Sequence, residues 1–141
     1  MAAPSCGKGI VVMTQSLVVA DGRFDVASTV QRLTSALHQR GVTLFATIDH
    51  AAGARGAGMD LADEVVLVFG NPAAGTPLMQ LDPRVGIELP LRLLIWSEAG
   101  ATKIAYQDPG GLADRYALGT AVALLQPLRG LLTTLVAEVA R

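Results

Sequence analysis

Between Leu67 and Leu91 the chain changes direction in ways that few folds accommodate. Leu67-Val68-Phe69 runs into Gly70-Asn71-Pro72, Gly75-Thr76-Pro77-Leu78 comes next, and Glu88-Leu89-Pro90-Leu91 resumes an extended pattern. Proline cannot donate to a sheet ladder, and it disfavours helix at the residue before it. A buried strand therefore ends near Gly70, a short insert fills the middle, and the next strand begins after Pro90. The residues before this stretch read as one β-α-β lead-in, and those after it as a hairpin closed by a helix.

The lead-in starts with Gly9–Ala20 as a first strand behind a loose terminus at residues 1–8, and Asp21-Gly22 reads as a turn. Asp25 is placed to cap a helix, and Val26, Val30, Leu33 and Leu37 then form one apolar stripe. His38 and Arg40 suit the negative end of that helix, and Gly41 terminates it. Val42–Asp49 is a second strand, 51–59 an Ala/Gly-rich loop or weak helical turn, and Glu64–Phe69 a third strand buried on both faces. Thr76 is expected to cap a short helix with Pro77 at its first position, and Asp82-Pro83 to end it. Leu91–Ser97 and Thr102–Gln107 form a hairpin around Glu98-Ala99-Gly100-Ala101. After Asp108-Pro109-Gly110-Gly111, a helical piece Leu112–Ala117 precedes a longer helix over about residues 120–140. Its expected buried stripe is Leu124, Leu128, Leu131, Leu132, Leu135, Val136 and Val139. Sequential strands joined by short turns predict an α+β fold, β-α-β(4)-α: a curved antiparallel sheet with helices packed on one face. One domain over 1–141 is expected, with its core in 9–140.

Composition narrows the function classes. Apolar residues make up 51% and charged residues 16%, against about 25% charged in ordinary domains. Such an excess points to burial against a second copy or to a lined cavity. Eleven basic and twelve acidic residues leave a net charge of −1, and no block of like charge interrupts them. A nucleic-acid partner or polybasic membrane docking is therefore not expected. The single Cys6 excludes an internal disulfide and suits a reducing, cytoplasmic setting. The run Ile10–Ala20 is broken by Thr14, Gln15 and Ser16, unlike a signal-peptide core. The segment Leu118–Val139 is interrupted by Gln126, Pro127, Arg129 and Glu138, so no membrane span is expected.

Phe-Gly-Asn-Pro at 69–72, Gly-Thr-Pro-Leu-Met at 75–79, Leu-Pro-Leu at 89–91 and Tyr-Gln-Asp-Pro at 106–109 occur in that order. With Ile48-Asp49-His50 and Asp114-Arg115-Tyr116, they make the chain similar to the family known as domain of unknown function 302, over about residues 10–140. The residues between Gln15 and Asp25 depart from that family's pattern, which leaves the register of strand one open. The resemblance implies a TATA-binding-protein-like fold and a homodimer. It implies no reaction, and the likeness of fold does not imply DNA binding.

Several side chains are candidates for chemistry. His50, at a strand end beside a Gly-rich loop, suits a general acid/base or a haem or metal ligand, with Asp49 as its neighbour. The plainer reading is a histidine that shapes the turn, since adjacent strand residues point to opposite faces. Asn71 is a ligand-contacting amide or a turn former. Arg55 holds an anionic ligand or, more simply, pairs with a carboxylate. Glu88 and Asp108 flank structural punctuation, as pocket residues or as solvated carboxylates, and Asp114-Arg115 is expected to pin the short helix. No Gly-Lys-Ser/Thr comes after the glycines from Gly53 to Gly58, so no phosphate loop is expected. No nucleophile elbow surrounds Ser16, Ser97 or Cys6, and no cofactor is predicted. The leading expectation is a homodimeric binding or accessory domain. It would take a small apolar ligand between the sheet and the C-terminal helix, with His50 and Asn71 near the rim. The alternatives are an enzyme using His50 with Asp49, Glu88 or Asp108, or a haem or metal carrier through His50.

Overall fold

The computed structural model describes residues 17–141. Residues 9–16 of the expected first strand, and Cys6, lie outside them. Five strands form one open antiparallel sheet: β1 Leu17–Gly22, β2 Thr43–Asp49, β3 Glu64–Gly70, β4 Leu91–Glu98 and β5 Ala101–Gln107, in the order β1-β5-β4-β3-β2. The helices are α1 Val26–Gln39, α2 His50–Gly56, α3 Pro72–Leu81, α4 Leu112–Arg115 and α5 Leu125–Val139. Short 3₁₀ turns at Pro83–Glu88, Pro109–Gly111 and Gly119–Leu124 join them. The α+β class and the β-α-β(4)-α order stand, with short helices added in the connections.

Each sheet face carries a cross-strand row that alternation assigns to it. On the face covered by α1 and α5, Ile104 pairs with Ile95 and Ile95 with Val65, all buried. Leu33 and Leu37 of α1 and Leu132, Leu135 and Val139 of α5 close over that face, each at most 1% exposed. On the opposite face, Val19, Ala105, Leu94, Val66 and Ile48 pair in one line across all five strands. The third strand is therefore buried on one face only: Val65, Leu67 and Phe69 are buried, while Val66 and Val68 are half-exposed.

Local chemistry accounts for most boundaries. Asp25 accepts a hydrogen bond from the Ser28 N–H and starts α1, while Gly41 at φ +69° lies just past its end. The hairpin turn places Ala99 at φ +52° and Gly100 at φ +82°, the two left-handed residues of a type I′ turn. Asp21-Gly22 is strand, not turn, because both residues pair with β5 opposite Lys103 and Thr102. Helix α3 begins five residues before the expected start: Asn71 caps it through the Ala73 N–H, Pro72 takes the first position, and Pro77 lies inside.

By length and composition alone, Gly119–Val139 is long and apolar enough to cross a membrane despite its polar interruptions, a test that the core helix of a globular fold also passes. In the fold it is divided into a 3₁₀ turn and α5, which has Pro127 in its first turn and Leu128, Leu132, Leu135 and Val139 in the core. Leu124, expected in that stripe, is 38% exposed because it belongs to the 3₁₀ turn, whose side chains have a different period.

Candidate functional site

The insert between β3 and β4 builds one wall of an apolar groove of about 350 Å³. Pro72, Gly75 and Met79 of α3 supply one side, Leu89 and Pro90 the floor beside a cis Leu89–Pro90 bond, and Leu128 and Leu131 of α5 the far side. Phe45 enters from β2, where Leu44 pairs with Phe69 and Ala46 with Val68, so Phe45 is the extra residue of a β-bulge. A bulge re-aims one side chain, and this one stands over Gly70, whose Cβ, if present, would lie 3.6 Å from Phe45 Cε2. Gly75 keeps the mouth open: a Cβ there would come within 3.3 Å of Leu89 Cδ1.

Asn71 stands on the rim of this groove, its Oδ1 committed to the Ala73 N–H at 2.9 Å. His50 does not share that rim. It is the first residue of α2 and borders a concavity of about 760 Å³ over the open sheet face, with Ile48, Glu64, Val66, Trp96 and, of the other expected site residues, Glu88. The expected joint cleft is thus divided in two, because the space between the sheet and the middle of α5 is filled by core side chains.

Asp49 caps α2 by accepting from the Ala52 N–H at 2.8 Å, so its carboxylate serves the helix rather than His50. Arg55 makes no ion pair among the described residues, and no three His, Cys, Asp or Glu side chains there gather as metal ligands.

The other two expected carboxylates sit in structural clamps. Glu88, whose position suggests a solvated carboxylate, is half-buried, and it accepts from the Tyr116 hydroxyl at 2.7 Å and from Arg115 at 3.3 Å. The tyrosine bond, above all, raises the Tyr116 pKa. Arg115 thus reaches the 3₁₀ turn before β4 instead of pinning its own helix, which has no side-chain cap. Asp108 accepts from the Gly110 N–H and from Arg129 of α5, and Arg129 holds its carboxyl below the usual range.

A third clamp had no expected role. Asp82, its side chain 5% exposed, accepts from the Arg84 guanidinium and from the backbone N–H groups of Arg84 and Ala117. These bonds, the Arg84 side chain first, hold its carboxyl far below the ordinary value. Its sequence signal is Asp before Pro, which reads as a helix stop; the long-range bond to Ala117 has no local trace.

Comparison with known proteins places this architecture. The family model described as Domain of unknown function DUF302 matches residues 19–135. A solved structure, an uncharacterized conserved protein DUF302 from Bacillus stearothermophilus, superposes with a TM-score of 0.78 at 21% identity. The match covers 88% of this chain and 98% of that one, and at this identity the likeness is one of fold. Two curated relatives carry the name fluoride-specific ion channel FluC 1, from Brucella suis and Brucella abortus. Each is 37% identical over 109 residues, or 77% of this chain. The match takes in 43% and 40% of those relatives, so this chain corresponds to less than half of their length.

Proposed function

The chain belongs to the family described as Domain of unknown function DUF302, and on that premise we propose that it is a homodimeric binding domain that takes a small apolar ligand in the groove beside Asn71. The groove itself carries the reading. Its volume of about 350 Å³ lies within the roughly 300–1,000 Å³ of small-molecule sites, which are mostly apolar with few polar groups. Its walls come from β2, α3, the segment before β4 and the start of α5, so a ligand there would tie together elements far apart in sequence. With no charged side chain on its lining, it suits a neutral ligand or the apolar tail of a larger one.

The neutral fluorophore N-phenyl-1-naphthylamine tests this. Saturable one-to-one enhancement is expected with the native chain, and its loss in Gly75→Leu, whose side chain would fill the mouth. Equal enhancement in both proteins would place the dye elsewhere and end the reading.

Self-association rests on a separate observation, the apolar row across the open face. Five strands spaced about 4.8 Å apart, with six residues of about 3.3 Å each, give a flat footprint of about 500 Å². Standard interfaces take about 800 Å² per partner once side-chain relief and rim are counted. Glu64 and Arg92 lie at opposite ends of adjacent strands on this face, four residues apart along the sheet, and neither forms an ion pair among the described residues. A two-fold axis lying across the strands brings each Glu64 towards an Arg92 of the second copy, the self-complementarity an isologous dimer needs. The accessory role is drawn from the relatives: a unit that matches under half of proteins named as fluoride-specific channels suits a part that acts beside another activity.

A further inference from the structure

The geometry points to a second ligand site: a polar cleft between α1 and the end of α5 that binds a small phosphorylated sugar or polyol. The cleft encloses about 650 Å³ and is separate from the apolar groove. Ser28, Gln31, Ser35 and Gln39 line it from one face of α1, at the i, i+3, i+7, i+11 spacing that aligns side chains along a helix. Arg32 stands beside them on the same helix face, a turn from Ser28 and Ser35, and Arg23 joins from the segment just before the helix.

Both arginines are held in place by something other than a carboxylate. Arg32 lies over the Phe24 ring at 3.9 Å from its centroid, and Arg23 lies 4.9 Å from the same centroid. Arg23 also donates to the Glu138 carbonyl oxygen at 2.9 Å, which leaves further N–H groups of its fork free. Neither forms an ion pair among the described residues. The carboxylate on the cleft wall, Glu138, faces Arg40 at 3.9 Å. Two cations against one engaged carboxylate leave the lining net positive.

This arrangement selects a chemistry. Paired guanidiniums fixed by stacking match the tetrahedral oxygens of a phosphate through charge-assisted bonds. The serine hydroxyls and glutamine amides offer donors and acceptors to a neutral hydroxylated body. An aromatic base would find no open platform, because the Phe24 ring already carries Arg32.

The test is nuclear magnetic resonance titration of the full chain, in low salt, with glucose 6-phosphate, inorganic phosphate and glucose as separate probes. The sugar phosphate is expected to shift the amide signals of Arg23, Ser28, Arg32 and Ser35 and to leave those of Gly75 and Met79 in place. Arg32→Gln should weaken it by about tenfold or more, the scale of a charge-assisted contact, with an unchanged melting temperature. Ser35→Ala should weaken the sugar phosphate but not inorganic phosphate. Absence of saturable shifts at these amides, or an Arg32→Gln variant that binds as well as the native chain, overturns the site. Equal affinity for phosphate and its sugar ester overturns the assignment of the hydroxylated body.

Discussion

The two faces of the sheet carry the same kind of residue in opposite circumstances. Ile104, Ile95 and Val65 on the covered face are 1%, 0% and 9% exposed; Val19 and Ile48, on the open face of the outer strands, are 51% and 44% exposed. Alternation normally gives an antiparallel sheet one apolar and one polar face, and here the second face carries an apolar row flanked by charged residues. The covered face accounts for the fold. The other, with its row Val19, Ala105, Leu94, Val66 and Ile48, has the composition of an interior without the helices to close it.

The strongest way to break this contrast is to truncate adjacent residues on opposite faces. Leu67→Ala, at a fully buried position, is expected to cost about 2–5 kcal/mol of stability. Val66→Ala, half-exposed next to it, should cost about 1 kcal/mol or less. Urea unfolding of dilute protein measures both, and similar losses would mean that the open face is packed as tightly as the covered one. A smaller effect on stability, but a decisive one on assembly, is expected from Leu94→Asp. Analytical ultracentrifugation should show it as a monomer with native circular dichroism, where the unaltered chain is expected to sediment as a dimer. A dimer that survives the charge in the middle of the row would move the interface elsewhere.

Acid provides the mildest probe. The Asp82 and Asp108 carboxyls, which tie loops and α5 over the covered face, and Asp21, beside Lys103 on the open face, are all held below their ordinary values. A carboxyl lowered in the folded state binds fewer protons there than in the unfolded chain. Its stabilisation is therefore complete above the ordinary carboxylate pKa of about 4 and is lost as pH falls below it. Asp82→Asn should melt several degrees below the native chain at pH 7, and the gap should close as the pH is taken below about 4. Asp21→Asn should show a shallower version that 1 M salt removes, since the Asp21 side chain is solvent-facing. Salt-resistant loss at Asp21 would make the open rim as well shielded as the interior.

How much of the molecule is legible in the sequence tracks the range of the forces involved. The Asp25 cap, the Leu33 and Leu37 stripe and the hairpin at Ala99-Gly100 are set by residues within a turn or two of one another, and all are readable. Asp21-Gly22 has the composition of a turn, yet pairing with Lys103 and Thr102, some eighty residues away, draws it into β1. Pro77 reads as a helix start because nothing near it shows that Asn71 has already capped one. The groove is legible only as an apolar excess, because Phe45, Gly75 and Leu131 meet through the fold alone. Asn71 reaches its rim; His50, the most conspicuous residue in the sequence, comes to rest on the other face, sharing a concavity with Glu64 and Glu88 but making no hydrogen bond to a carboxylate among the described residues.

The bulge at Phe45 also bears on how the protein behaves in crowded solution. An open sheet ends in two bare strands, each a template on which another chain can lengthen the ladder. At β1 the end of the chain occupies part of that template, with Gly22 bridged to Ala140 and the Arg141 N–H bonded to Asp21 O at 2.8 Å. At β2 there is no such cover among the described residues, and the extra residue breaks the even spacing a docking strand would need. The same residue that lines the groove thus spoils the outer edge for polymerisation, so a change that straightened β2 would lose a wall of the groove and gain a tendency to form fibres.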